Sequence, residues 1–168
     1  MEFGSEYIMF FARWLHVLSG IMWIGLLWYF NFVQIPSMPN IPDNEKPAIS
    51  KVIAPKALFW FRWAALATIL TGLLTAHLNS YLLDALSLGI IGETKKHTAI
   101  GIGMWLGIIM AYNVWMIIWP NQKIALGIVS TSDEEKPMAA RKAMLFSRTN
   151  TALSIPMLYA MVSAQNLY

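Results

Sequence analysis

Four stretches of this chain, at about residues 7–35, 58–83, 98–119 and 143–167, are long and apolar enough to cross a bilayer. A spanning helix takes about 20 predominantly apolar residues. In hydrocarbon every backbone N–H and C=O must pair within the protein, so such stretches are expected as helices. The fold class expected is therefore all-α: a four-helix transmembrane bundle occupying 1–168 as a single four-span membrane domain. Composition agrees. The chain is 57% hydrophobic and 12% charged, about half the charged share of a soluble domain.

Two of the stretches share a phrase. Residues 23–31 read Trp-Ile-Gly-Leu-Leu-Trp-Tyr-Phe-Asn, and residues 105–113 read Trp-Leu-Gly-Ile-Ile-Met-Ala-Tyr-Asn. A histidine precedes each copy (His16, His97), Gly-Ile follows each histidine by four residues, and Pro36 and Pro120 close the segments. The repetition suggests a duplicated hairpin. The spacing is not identical: His16 lies seven residues before Trp23, and His97 lies eight before Trp105. One residue turns a helix by about 100°. The two histidines are thus not expected to point in equivalent directions.

Charge orients the bundle. Lys46, Lys51, Lys56, Arg62, Lys123, Lys136, Arg141, Lys142 and Arg148 flank the first and third connections, whereas Arg13, Lys95 and Lys96 lie on the other side. Basic residues favour the cytoplasmic side, which places both termini and the middle connection outside. The halves are then parallel repeats about an axis along the membrane normal. The net charge of +3 is dispersed over these flanks and forms no nucleic-acid patch. The first connection, 36–55, holds five prolines and reads as an extended loop. The middle connection, 84–97, is expected to hold a short interfacial helix. The third carries the polar run Ser132-Asp133-Glu134-Glu135-Lys136-Pro137.

The chain has three histidines, His16, His77 and His97, all in the expected outer half. An ionisable side chain inside a membrane is costly, so a functional role is the default reading. Imidazole is a common metal ligand, and histidines on facing helices hold haem in bundles. Each could equally hydrogen-bond a neighbouring helix. Gly20 and Gly101, one turn from His16 and His97, would let a flat macrocycle approach the backbone. Arg13, one turn before His16, suits a propionate or simply reaches for the interface. His16 is the first expected ligand, then His77, then His97. One haem b is expected, since a second would require Met104 or another donor. Absence of cysteine excludes covalent c-type haem and thiolate metal sites.

Several stretches resemble a known family. Trp14-Leu15-His16, Trp23-Ile24-Gly25 and Phe30-Asn31-Phe32-Val33-Gln34 are similar to the first helix of the bacterial urate oxidase N-terminal membrane domain. Asn113-Val114-Trp115 with Ile118-Trp119-Pro120-Asn121-Gln122-Lys123 resembles the end of its third helix. Ser147-Arg148-Thr149-Asn150-Thr151 with Ser154-Ile155-Pro156-Met157 resembles its last helix. The family's longer members join this domain to a cytochrome c and oxidise urate. This chain is shorter and has no c-type haem motif. The first-helix motif also resembles small haem-binding membrane proteins that include a bacterial protoporphyrinogen oxidase.

The function expected is electron transfer by a membrane haem b protein of the bacterial inner membrane. It would act as a cytochrome b-like carrier or as a subunit of a larger redox complex. A separate cytochrome c is the expected partner, with a homo-oligomer the other assembly considered. The alternatives are a small haem oxidoreductase acting on urate or a similar substrate, and a cofactor-free structural subunit.

Overall fold

The structure is a computed structural model and describes residues 4–132 and 134–168. Asp133 of the polar run lies outside the described residues. The described residues are helical, with no strand. Helix α1 (Ser5–Trp28) continues through a π-helical turn, Tyr29–Gln34, into α2 (Ile35–Ser37) and a 3₁₀ turn, Met38–Asn40. A second π-helical turn, Ala48–Ile53, leads into α3 (Ala54–Leu78). Short α4 (Leu82–Leu86) precedes α5 (Lys95–Tyr112), a third π-helical turn (Asn113–Ile118) and α6 (Trp119–Ala125). Helix α7 (Glu135–Asn166) completes the fold.

The first connection corrects the reading of its prolines. Helix persists to Asn40 and resumes by Ala48, so the chain turns within 41–47 rather than running extended over 36–55. The reason is local. Each π-helical turn ends two residues before a proline, Pro36, Pro55 or Pro120. In an α-helix, proline crowds the carbonyl four residues back and leaves it without a donor. Here the preceding N–H closes on the carbonyl five residues back: Ile35 on Phe30, Ala54 on Ile49 and Trp119 on Val114. The wider turn absorbs the proline and the helix goes on. Both copies of the repeated phrase run into such a turn.

Three helical runs, Ser5–Asn40, Ala48–Leu78 and Lys95–Ala125, are long and apolar enough to cross a membrane. Their outer faces are apolar too, with Phe10, Ile21, Leu70 and Met116 among the exposed side chains. These features mark a membrane protein. The fourth expected span, 143–167, falls within α7, which does not reach the same apolarity. Its polarity is turned inward. Ser147, Asn150, Thr151, Ser154 and Ser163 are buried, while Leu145, Ile155, Tyr159 and Val162 are exposed.

Packing pairs α1 with α3 and α5 with α7, and α4 lies on α5. The core centres on Trp23, Leu27, Phe61, Met110, Val114 and Ile118. The two motif asparagines tie the helices to α7. Asn31 Nδ2 donates to Ser147 Oγ at 2.8 Å, and Asn113 Nδ2 donates to Asn150 Oδ1 at 2.8 Å. Asn150 Nδ2 in turn donates to the Met110 carbonyl at 2.9 Å. Asn150 is wholly buried. Replacing Asn150 with Ala leaves the Asn113 amide without its acceptor. Interhelical hydrogen bonds in membranes are modest, so the expected loss is about 1–2 kcal/mol, read as a lower thermal midpoint in detergent. Arg62 is held by an aromatic ring and not by a carboxylate among the described residues. Its guanidinium lies over Trp119, 3.9 Å from the ring centroid, and Asp43 pairs with Lys46.

Candidate functional site

A cavity of about 590 Å³ opens between the α1–α3 pair and the α5–α7 pair. This volume lies within the range of sites that enclose a cofactor or drug-sized ligand. It occupies the half of the molecule nearer the chain termini, and its lining is mostly apolar.

His16 lines the cavity, and its placement is built from α3. A β-carbon added at Gly72 would come within 2.8 Å of the imidazole Cε1, so the ring packs directly on the Gly72 backbone. One turn earlier, the Thr68 carbonyl lies 2.9 Å from His16 Nδ1. A carbonyl can only accept, so Nδ1 carries the proton and donates to it. The other ring nitrogen, Nε2, is then the lone-pair nitrogen. This is how a ligating histidine is usually oriented, its second N–H fixed by a backbone carbonyl. Thr71 Oγ1 lies 3.5 Å from the same Nδ1.

Trp23 stands two helical turns beyond His16, about 10 Å along the axis and nearly on the same face. It is 1% exposed and lines the cavity. Its indole Nε1 has no hydrogen-bond partner. The other copy of the phrase differs: Trp105 Nε1 donates to the Leu86 carbonyl at 3.0 Å. Trp28 and Trp115 are likewise paired, to Ser154 Oγ and the Arg62 carbonyl. A buried unpaired donor carries a desolvation cost of about 1–3 kcal/mol. Trp23 lines the cavity with other atoms, and this donor is buried and unpaired.

The remaining expected site residues separate. Arg13 and Gly20 line the cavity with His16. His77 is exposed at the end of α3 and is not among the lining residues. His97 is also absent from the lining. Its Nδ1 pairs with Asp84 Oδ2, and its ring stacks on Tyr81 at 5.3 Å between centroids. Gly101 faces α4 instead of the cavity: a β-carbon there would run into the Ala85 carbonyl. The three histidines are therefore not brought to one point, and no group of three or more His, Cys, Asp or Glu that could hold a metal is found among the described residues. Met104, Met157 and Met161 do line the cavity.

Sequence reasoning named Met104, and Trp23 only as part of the repeated phrase, and missed Gly72 and Thr68. The threonines at 68, 71 and 75 and Gly72 form one inward stripe on an otherwise apolar helix, which is the signal that was available.

Residues 93–167 match the urate oxidase N-terminal family. The match is consistent with a member of that family. It takes in α5 to α7 and two of the three stretches that carry the resemblance, those at 113–123 and 147–157. The first-helix stretch, with His16 and Trp23, lies outside it. No curated protein and no solved structure matches the chain.

Proposed function

We propose that this is a membrane haem protein that transfers electrons, with one haem b seated in the cavity on His16. The observation that carries the reading is the Nδ1–H bond to the Thr68 carbonyl, which leaves a neutral Nε2 in an apolar cavity. The surroundings fit a flat ligand. The ring rests on Gly72, Gly20 and Gly107 offer no side chains, and the Trp23 donor lacks a partner. A histidine pair does not fit, since His77 and His97 do not line the cavity. Besides His16, the lining offers the thioethers of Met104, Met157 and Met161, which would help to hold the group. Arg13 suits a propionate. Bound haem supplies one-electron redox chemistry, and His–Met ligation raises its potential relative to His–His.

On this reading the four long helices form one transmembrane bundle in a bacterial inner membrane, both termini outside. Electrons pass to a separate cytochrome c or within a larger redox complex. The absorption spectrum of the purified protein, oxidised and reduced after expression with ample haem, tests it. A Soret band with a reducible α band is expected. Their absence would leave a cofactor-free structural subunit. The family's name favours a second reading, oxidation of urate or a similar substrate by the same haem. Urate-dependent reduction of an artificial acceptor would select it.

A further inference from the structure

We propose that Arg62 and Lys123, gathered on the Trp119 ring, form a site for the phosphate of an anionic phospholipid at the end of the bundle away from the chain termini. The site does not depend on the haem reading.

The site lies where α3 meets the end of the third helical run. Trp115 Nε1 donates to the Arg62 carbonyl at 3.1 Å, and the Trp63 and Trp115 rings meet edge to face at 5.4 Å between centroids. These contacts fix α3 against the π-helical turn Asn113–Ile118 and bring Arg62 to Trp119, the residue that follows the turn. The Arg62 guanidinium lies over the indole, 3.9 Å from the ring centroid. Lys123, one helical turn past Trp119, holds its Nζ 5.8 Å from the same ring. Two like charges thus share one indole. No carboxylate pairs with either among the described residues, where Asp43 is taken by Lys46 and Asp84 by His97. The ring attracts each cation but does nothing to offset the repulsion between them. An anion held by both does.

Arg62 also keeps most of its donors free. A guanidinium carries five N–H groups. One reaches the Leu58 carbonyl at 3.4 Å, which is long for a hydrogen bond. A guanidinium lying on a ring keeps its N–H groups at its own rim, where they can take phosphate oxygens two at a time.

Depth and surroundings select a lipid as the source of the phosphate. Arg62 lies about 24 Å along α3 from its Leu78 end, and Trp119 about 36 Å beyond Lys95. A hydrocarbon layer of about 30 Å measured from those ends stops near the ring, at the level of lipid phosphates. Phe59, 5.2 Å from the same guanidinium, packs on Trp60 and Trp63, and all three rings are exposed. Aromatic rings favour this interfacial level, and here they offer a surface for the glycerol and upper acyl chains. A free phosphate would leave them bare. A zwitterionic lipid brings its own cation, so two fixed cations favour a lipid of net negative charge.

Native mass spectrometry of the full chain in detergent, titrated with dioleoylphosphatidylglycerol or dioleoylphosphatidylcholine, reads the affinity of the first bound lipid. The parent is expected to hold phosphatidylglycerol at least about tenfold more tightly, and Lys123→Gln should weaken that binding about fivefold. Combining Arg62→Gln with Lys123→Gln should leave phosphatidylglycerol bound no better than phosphatidylcholine. Lys95→Gln with Lys96→Gln removes the same charge at the other end of the bundle and should bind as the parent does. Equal affinity of the parent for the two lipids overturns the proposal. So does a preference that survives the Arg62 and Lys123 changes, or one that falls as far when Lys95 and Lys96 are changed. Displacement of the lipid by millimolar inorganic phosphate also overturns it, because the anion is then a free one. Should the double variant not fold, Lys123→Gln alone decides, and undiminished phosphatidylglycerol binding there is fatal to the site.

Discussion

If the cavity takes haem on His16 as proposed, His16→Ala is expected to lose it: the Soret band of the purified variant should be absent or correspond to a small residual fraction. Removing a residue that merely orients a ligand weakens metal sites about 10–100-fold. Removing the ligand itself should exceed about a hundredfold. No other histidine lines the cavity, so none can take its place. The cost to the fold is small by comparison. His16 makes one good hydrogen bond to the rest of the protein, to a carbonyl that already serves its own helix. The loss should be about 1 kcal/mol. The variant should therefore remain folded in detergent while losing colour. A His16→Ala protein that keeps a six-coordinate low-spin spectrum would show that the iron is held elsewhere.

Gly101→Ala is expected to be the more damaging change to the fold. The added methyl would overlap the Ala85 carbonyl, a backbone atom that cannot rotate aside. Overpacking by one methyl group typically costs about 1–3 kcal/mol, and a backbone collision belongs at the upper end. Helix α4 would lift from α5, carrying Asp84 away from His97 and breaking the Trp105 bond to the Leu86 carbonyl. Hydrogen exchange should rise in 82–93 before it rises in α1 or α3. Gly20→Ala is the comparison: its β-carbon would meet only Thr68 Cγ2, at an ordinary 3.9 Å. It should leave exchange in 82–93 unchanged. Equal exchange in Gly101→Ala and the parent would mean that the close approach does not hold α4.

Three helical runs were legible because hydropathy alone marks them, whereas α7 falls short of that apolarity and begins at Glu135 rather than 143, since its polar side is buried against the other helices. The connections were less legible. Proline density suggests an open loop only if each proline must break a helix, and the π-helical turns before Pro36, Pro55 and Pro120 remove that necessity. The site was half legible. His16, Gly20 and Trp23 fall on one face by simple spacing. The rotation of α3 did not follow from its sequence, because that helix is apolar nearly all round. The rotation turns Thr68 and Gly72 toward His16 and leaves His77 outside. The pairing of Asp84 with His97 depends on a turn through positive φ angles at residues with side chains, which local propensity argues against.

The inward polarity of α7 bears on the order in which the chain can be assembled. Three helical runs are apolar enough to enter a bilayer unaided. Helix α7 would carry the Asn150 amide into hydrocarbon without its partners if it entered alone. The hydroxyls of Thr151, Ser154 and Ser163 donate to carbonyls of α7 itself, but the Asn150 amide bonds to Asn113 and the Met110 carbonyl, and Ser154 and Ser147 accept from Trp28 and Asn31 on the first run. The insertion of α7 therefore depends on a template already in place, and that template is built from the first and third helical runs, which precede it in the chain.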